Sequence, residues 1–460
     1  MVTKSSLPYW TTVTAMILLK FIATVHSEIK TYEGYELYRL QLTTKAQVEA
    51  LWKLQSDGEV DLWKEGGTKS KTDVFVAPDK KEKFVAFLTQ NSLSGNAVEN
   101  VDLKPWRDEL STRRNNKTPR GMSWNDYYNL DEIYKWLDTL PKKFPDLAKV
   151  ESMGKSYEGR EIKFITITLG SSSKPGILIN SLFHSREWIT GAVVTYFINE
   201  LTTKHTEYEK LLRNYRFYIV PVVNPDGYVF SWTDDRMWRK NRNPNEGDEC
   251  KGVDLERNFD IDWGGAGAGV SKCSDSYLGP SPCSEKECQA LVKFMLDHKD
   301  ITDYYSFHSY GQIWMTPWSY TRKKAFNDEE TFAVMKKAVK TLNSIHGTDY
   351  KFGSSTDVYS PIAGTVEDWA METAKVNYSY CIELRDKGTH GFALPPEYIL
   401  PSAEEMWPAI VSSVQKLTSS SREEDSFNSK NSRTNGREVR LLCLGSASTL
   451  ILMSTVLAKF

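Results

Sequence analysis

Apolar positions along the first part of the chain predict a small unit that mixes strands and helices. The run Tyr35–Leu42 is typical of a strand, and apolar residues three and four positions apart indicate a helix over 44–55. A short strand at Val74–Val76 and a second helix over 80–89 follow. We therefore expect an α+β domain of about 85 residues, which is long enough to fold by itself.

The remainder of the chain alternates strand patterns with helical ones. Apolar runs over 164–169, 177–179 and 217–223 indicate strands, whereas the spacing over 129–140 and 329–345 indicates amphipathic helices. Strands that alternate with helices predict an α/β domain built on a central sheet.

A basic segment, 114–121, divides the chain into a first unit, 28–113, and a second unit, 122–417. Its residues include Arg114 and Arg120 and very few apolar ones. We expect an exposed linker, which is the kind of segment that a trypsin-like protease cuts.

Both ends of the chain differ from the middle. Lys4, followed by an uncharged stretch and then by small residues, predicts a secretory signal peptide over 1–27; the apolar stretch is too short for a comfortable membrane anchor. A polar spacer over 418–440 precedes a hydrophobic tail over 441–460. This pattern favours a lipid-anchor signal, with a tail anchor as the alternative. We expect an extracellular protein, either free or tethered to the outer cell surface.

Composition and charge narrow the function classes. The chain has 460 residues, of which 40% are hydrophobic and 12% aromatic, and this excludes a disordered protein. Its 58 basic residues nearly balance 60 acidic ones, for a formal net charge of -2. No overall field would attract nucleic acid, so we expect no nucleic-acid partner, and we expect a monomer.

Two of the seven histidines follow apolar, strand-like runs, at His184 and His308. Glu187 lies three residues after His184, and a His-x-x-Glu segment can hold a metal ion. His308 would complete a set of two histidines and one glutamate, which leaves a fourth position on Zn²⁺ for water. From these residues alone, the alternative is a strand-end histidine in an ordinary hydrogen bond.

Seven segments, in order along the chain, resemble the zinc metallocarboxypeptidases of the pancreatic A/B type. They are Ser156-Tyr-Glu-Gly-Arg160, His184-Ser-Arg-Glu-Trp188, Pro221-Val-Val-Asn-Pro-Asp-Gly-Tyr228, Met237-Trp-Arg-Lys240, Gly252-Val-Asp-x-x-Arg-Asn258, His308-Ser-Tyr310 and Glu383-Leu-Arg-Asp386. The resemblance identifies the first unit as an activation domain. It implies a mixed central sheet flanked by helices, synthesis as a zymogen, and peptide substrates with a free C-terminus.

The resemblance also assigns the catalytic roles. His184, Glu187 and His308 would hold one Zn²⁺ per chain, and the ion would lower the pKa of a bound water. Glu383 would take the proton of that water and pass it to the leaving amine. Arg239 would stabilise the developing oxyanion.

Substrate binding is assigned to further residues. Arg186 and Tyr310 would bind the peptide, and Arg257 with the mobile Tyr359 would clamp its terminal carboxylate. Glu256 stands where the family has an asparagine. It would repel the substrate unless it is protonated or turned toward Arg257. A peptide-binding homologue that cannot catalyse is therefore the alternative function.

Side-chain preference depends on one position at the floor of the substrate pocket. The segment Tyr359–Trp369 is one residue longer than the family pattern. Counting back from Trp369 places Glu367 at the floor and predicts release of Lys or Arg. Counting on from Tyr359 places Val366 there and predicts release of apolar residues. We favour Glu367, because Trp369 adjoins the strand that follows.

Several residues agree with secretion. The resemblance pairs Cys250 with Cys273 in a disulfide. Cys283 and Cys288 either pair locally or are held apart by a helical segment. Cys381 is expected to be a buried thiol. Two positions match the N-glycosylation pattern, Asn116 and Asn377.

Overall fold

The computed structural model describes residues 29–68, 70–98, 122–170 and 173–415. The expected signal peptide, basic linker and C-terminal tail lie outside these ranges, as does Asn116. Within them, no helix combines the length and the apolar character needed to cross a membrane.

A four-stranded antiparallel sheet forms the first unit, with strand order β2-β3-β1-β4. Its strands are β1 Glu36–Leu40, β2 Asp61–Lys64, β3 Thr72–Val76 and β4 Gly95–Ala97. Two helices, Lys45–Ser56 and Lys81–Gln90, contribute Leu51 and Phe84 to a core shared with the strands. Apolar residues spaced by three and four positions put one face of each helix into this core. The predicted α+β domain is confirmed.

An eight-stranded sheet forms the second unit, in the order β11-β10-β12-β9-β7-β8-β6-β5. Its strands are β5 Ala148–Lys155, β6 Glu161–Ile167, β7 Gly176–Ser181, β8 Arg216–Val220, β9 Ile301–Ser309, β10 Ile313–Thr316, β11 Lys351–Ser354 and β12 Tyr378–Leu384. Parallel pairing joins β8, β7, β9 and β12, whereas β5–β6, β6–β8 and β10–β12 are antiparallel. The predicted mixed sheet is confirmed.

Helices cover both faces of this sheet. Ile177 and Ile179 of β7 belong to one hydrophobic core and Leu178 to another, as expected when successive side chains of a strand point to opposite faces. The helices of the second unit are Leu130–Leu137, Leu140–Lys143, Trp188–Thr203, Glu209–Asn214, Pro225–Thr233, Lys286–Asp297, Asp328–His346, Ser355–Val358, Val366–Glu372 and Ile399–Val414. Single turns of 3-10 helix occur at Pro78–Lys80, Leu255–Arg257 and Pro396–Tyr398.

The neighbouring parallel strands β7, β9 and β12 end at the same edge of the sheet. His184 and Glu187 follow the end of β7, His308 lies near the end of β9, and Glu383 lies near the end of β12. His308 and Glu383 stand opposite each other in the register of β9 and β12. The carboxyl ends of parallel strands are where open α/β sheets place their sites, so the topology alone gathers these residues.

The first unit, called the activation unit below after the resemblance, packs against this same edge through an apolar cluster. Trp63 of β2 and Phe75 of β3 lie in one cluster with Met237, Tyr310 and Phe392 of the second unit. The Trp63 side chain is buried and its ring centroid lies 5.0 Å from that of Phe392. Burial of such aromatic surface anchors β2 over the ends of the central strands.

Two disulfides are present among the described residues. Cys250 pairs with Cys273, as the resemblance implied, and Cys283 pairs with Cys288. Of the two alternatives for Cys283 and Cys288, local pairing is confirmed, because the helix starts only at Lys286 and the two Cα atoms lie 5.5 Å apart. Cys381 is a buried free thiol.

Candidate active site

Ligand atoms of His184, Glu187 and His308 converge on one point. His184 Nδ1 lies 2.8 Å from Glu187 Oε1 and 3.2 Å from His308 Nδ1, and His308 Nδ1 lies 3.3 Å from Glu187 Oε2. A tetrahedral ion with ligand bonds of about 2.0–2.1 Å separates neighbouring donors by about 3.3 Å. Both the spacing and the donor set, two imidazoles and a carboxylate, fit Zn²⁺.

Asp254 holds the other side of the His184 ring. Its Oδ1 lies 3.2 Å from His184 Nε2, and its Oδ2 accepts from Arg239 Nη2 at 2.9 Å. Burial opposes ionisation, but Arg239 and Arg257 hold the pKa of Asp254 well below its usual range. A carboxylate that accepts from Nε2–H leaves the Nδ1 lone pair of His184 available to a metal.

A second combination, His184, Glu256 and His308, also brings one possible ligand atom from each residue within 4.8 Å of the others. Glu256 Oε1, however, lies 3.4 Å from Nε2 of His308, whereas Nδ1 of the same ring faces His184 and Glu187. One ion cannot use both ring nitrogens of His308. The short distances around Nδ1 favour Glu187 as the carboxylate ligand.

Glu383 lies in the same cavity as the three metal-binding candidates. Its side chain carries one oxygen, Oε2, that is buried and has no hydrogen-bond partner among the described residues. Burial and the nearby Glu187 carboxylate raise the pKa of Glu383 to about 8. A carboxyl group in such surroundings is suited to accept and return a proton.

The arginines predicted from the sequence occupy different parts of this cavity and its rim. Arg239 is buried beside Asp254, and its Nη1 lies 4.0 Å from Glu187 Oε1. Arg186 is fully buried, and its Nη2 donates to Asp61 Oδ1 of the activation unit at 3.1 Å. Arg239 thus comes within ion-pair distance of the candidate metal ligand Glu187, while Arg186 lies at the contact with β2.

Arg257 is occupied by a carboxylate of the activation unit. Its Nη2 donates to Oε1 and to Oε2 of Glu65, each at 2.7 Å, and both side chains are largely buried. Tyr359 lines the same cavity. Arg257 therefore does bind a carboxylate in this structure, although that carboxylate belongs to the protein itself.

Of the two candidates for the pocket floor, Glu367 and Val366, only Glu367 lines the cavity. Glu367 lines the cavity; its Oε1 accepts from Ser319 Oγ at 2.8 Å, and its Oε2 is buried without a hydrogen-bond partner among the described residues. Burial and the Glu256 carboxylate raise its pKa to about 7. Val366 is buried in the core with Leu255 and is not among the residues that line the cavity.

Three carboxylates of the activation unit face the second unit at this site, a feature that we did not predict from the sequence. Asp61 meets Arg186, Glu65 meets Arg257, and Asp73 Oδ2 accepts from Tyr310 Oη at 2.8 Å. Acidic residues next to an apolar pair such as Leu62-Trp63 occur on many surfaces, so the sequence carried no distinctive signal. Asn377, the described glycan candidate, is exposed just before β12.

Comparisons with known proteins agree with this arrangement. A family model described as zinc carboxypeptidase matches residues 133–409, and one described as carboxypeptidase activation peptide matches residues 38–101. Carboxypeptidase B of Astacus astacus is 42% identical over 291 residues, which cover 63% of this chain and 96% of that protein. Carboxypeptidase A1 of Mus musculus is 33% identical over 407 residues, 86% of this chain and 96% of that protein. The crystal structure of carboxypeptidase A from Helicoverpa armigera is 29% identical and superimposes with a TM-score of 0.78 over 84% of this chain and 98% of that one.

Proposed function

This chain belongs to the zinc carboxypeptidase family and is a metallocarboxypeptidase with an activation peptide, and we propose that it removes single C-terminal residues, preferably Lys or Arg, from peptides. The observation that carries this proposal is one cavity that holds a fitted zinc-ligand set, a buried carboxyl and a carboxylate-binding arginine. That set is His184, Glu187 and His308; the carboxyl is Glu383 and the arginine is Arg257.

Each catalytic residue acts at a stated place. A zinc ion held by the ligand set would polarise the scissile carbonyl and acidify a water. Glu383, with a free buried oxygen in the cavity, accepts the proton of the attacking water and returns it to the leaving amine. Arg239, held by Asp254 close to Glu187, places a fixed positive charge where the oxyanion develops.

Recognition of a C-terminus rests on Arg257 and Tyr359. Both carboxylate oxygens of Glu65 already accept from Nη2 of Arg257. We therefore expect the terminal carboxylate of a peptide to bind there once the activation unit leaves. Exopeptidase activity follows, because an internal peptide bond offers no carboxylate to this arginine.

Preference for a basic residue rests on Glu367. Its second oxygen lies in the cavity without a hydrogen-bond partner among the described residues, and a buried carboxylate of this kind is stabilised by a Lys or Arg side chain. The apolar preference that Val366 would confer is the alternative specificity.

The activation unit covers the cavity, and we expect the uncut protein to be an inactive zymogen for this reason. β2 places Trp63 over the cavity and Glu65 follows directly after the strand, so peptides cannot reach Arg257 until the activation unit departs. We propose that a trypsin-like protease cuts within 114–121 to release it. Secretion through residues 1–27 and a tether at the C-terminal tail rest on the sequence alone.

One experiment tests reaction and specificity together. A peptide mixture is incubated with protein whose linker has been cut and from which the cutting protease has been removed, with and without a zinc chelator, and the products are identified by mass spectrometry. We expect chelator-sensitive loss of single C-terminal Lys or Arg residues. Glu367→Gln should abolish this preference, whereas Glu372→Gln, at an exposed position, should retain it.

Two results would contradict the proposal. Release of apolar residues by the wild-type protein would remove Glu367 from its role. A folded, zinc-loaded protein that binds peptides without trimming them would support the peptide-binding homologue, which the unusual Glu256 favours.

A further inference from the structure

Each histidine of the metal-binding group has a carboxylate near its Nε2 atom. Asp254 Oδ1 lies 3.2 Å from Nε2 of His184, and Glu256 Oε1 lies 3.4 Å from Nε2 of His308. The two carboxylates lie two residues apart, at the start and inside the 3-10 turn Leu255–Arg257. In both rings Nδ1 faces the metal position, so one short segment supports both ligands from behind.

Ser306 also lies beside the Nε2 edge of the His308 ring. Its Oγ lies 2.8 Å from Nε2. A hydroxyl can donate or accept, so Ser306 by itself allows either tautomer of His308. A carboxylate can only accept, so a carboxylate close to Nε2 favours the tautomer with the proton on Nε2 and the lone pair on Nδ1.

Glu256 is built into the site rather than directed at solvent. The residue is 5% exposed, and Oε1 has no hydrogen-bond partner among the described residues. Nε2 of His308 lies 3.4 Å from it. Arg257 does not neutralise it, because the guanidinium donates to the backbone oxygen of Glu256 and to the Glu65 carboxylate. Among the described residues, His308 is the only basic side chain that comes within 4.0 Å of the Glu256 carboxylate.

We propose that Glu256 is a positioning residue for His308, which fixes the ring in the tautomer and orientation that bind zinc, as Asp254 does for His184. This inference rests on the proposed function, because it takes Nδ1 of both rings as the zinc-binding atoms. It also gives a reason why Glu256 need not repel a peptide carboxylate that binds to Arg257. The Glu256 carboxylate lies beside His308, while the Arg257 guanidinium pairs with Glu65.

Zinc affinity tests this role without reference to turnover. The full-length protein is loaded with zinc, and its dissociation constant is measured by competition with a chromophoric chelator of known affinity. Glu256→Gln keeps the shape of the side chain, but its amide can donate or accept and no longer selects the tautomer. Glu256→Asp keeps the carboxylate. Glu187→Gln serves as the benchmark for loss of a ligand, and Glu372→Gln as the exposed control.

We expect Glu256→Gln to weaken zinc binding about 10- to 100-fold while one zinc still binds per chain at saturation. Glu256→Asp should recover part of the loss, and Glu372→Gln should match the wild type. In cobalt-substituted protein, the visible absorption bands should shift in Glu256→Gln, since they report the geometry of the ligands around the metal.

The remaining outcomes overturn the inference. If Glu256→Gln had the zinc affinity and the cobalt spectrum of the wild type, Ser306 alone would suffice to orient His308. A loss as complete as in Glu187→Gln would make Glu256 a metal ligand instead of a positioning residue. A wild-type protein that binds no zinc would refute the proposed function as well, whereas equal affinities in wild type and variant refute this inference alone.

Discussion

The ion pair between Glu65 and Arg257 is the contact that should matter most for keeping the zymogen inactive. Both oxygens of Glu65 accept from one guanidinium nitrogen at 2.7 Å, and the side chains are 12% and 3% exposed. Glu65→Gln keeps the size of the side chain and one acceptor oxygen but removes the charge. The contact of Asp61 with Arg186 stays in place in this variant.

The expected magnitude follows from the burial of the pair. Removal of one partner from a buried ion pair costs about 3–5 kcal/mol. Because glutamine can still accept a hydrogen bond, we expect a loss of about 2–3 kcal/mol in the free energy that holds the cover over the cavity. At about 1.4 kcal/mol for each factor of ten, the uncovered fraction should rise about 30- to 150-fold.

The assay compares each protein with itself. The rate of hydrolysis of a small chromogenic peptide is measured before linker cleavage and divided by the rate after complete cleavage. Glu65→Gln should raise this ratio by the stated factor, up to a limit of one. Glu82→Gln, at an exposed position on the helix Lys81–Gln90, is the matched control and should leave the ratio unchanged. A wild-type ratio in a folded Glu65→Gln protein would refute the reasoning, and the cover would then depend on apolar packing alone.

Two further predictions concern buried acids. Glu383→Gln should lower turnover about 10²- to 10⁴-fold with zinc content unchanged in elemental analysis, because a general base is lost while no ligand is; normal turnover would remove Glu383 from that role. Burial raises the pKa of Glu287 from 4.5 to about 7, so the folded protein keeps this proton over a pH range in which the unfolded chain has released it. Its contribution to the free energy of unfolding should therefore fall by about 3 kcal/mol as the pH rises from about 4.5 to 7. Glu287→Gln should flatten that part of the stability–pH curve in denaturant titrations, while Glu372→Gln should follow the wild type.

Sequence patterns predicted the architecture well where the signal was strong. Long apolar runs such as Phe217–Val223 and periodic stretches such as Glu329–Ile345 correspond to β8 and to the helix Asp328–His346. Strand β2 was missed, because its four residues Asp61–Lys64 include two charged ones and show no alternation. What makes this segment a strand is its pairing with β3 and the packing of Trp63 on the second unit, and neither is encoded locally.

The candidate site likewise contains residues whose placement could be predicted from the sequence and residues whose placement could not. The residues that follow the ends of β7, β9 and β12 could be expected to meet, since parallel strands deliver their carboxyl ends to one edge. The register of the loop before Trp369 could not be decided from the sequence. In the structure the helix Val366–Glu372 begins within this loop, and successive residues of a helix point about 100° apart. One of two neighbours, Val366, therefore enters the core, while Glu367 enters the cavity.

The direction of the Glu256 side chain was also beyond sequence reasoning. The sequence suggests two ways in which Glu256 could avoid repelling the substrate carboxylate, protonation and a turn toward Arg257. The structure shows a third, an approach to His308. That partner depends on how β9 lies against the turn Leu255–Arg257, which no local pattern specifies.

If Arg257 binds the end of a peptide as proposed, the first unit acts as an internal competitive inhibitor, because its Glu65 occupies the same arginine. As long as the linker is intact, this inhibitor is present at an effective concentration on the order of millimolar. Cutting the linker leaves the contacts between the described parts of the two units in place, but it turns a tethered encounter into one between separate molecules. Onset of activity would then depend on dilution, so the same cleaved protein should be less active per molecule in a concentrated solution than in a dilute one.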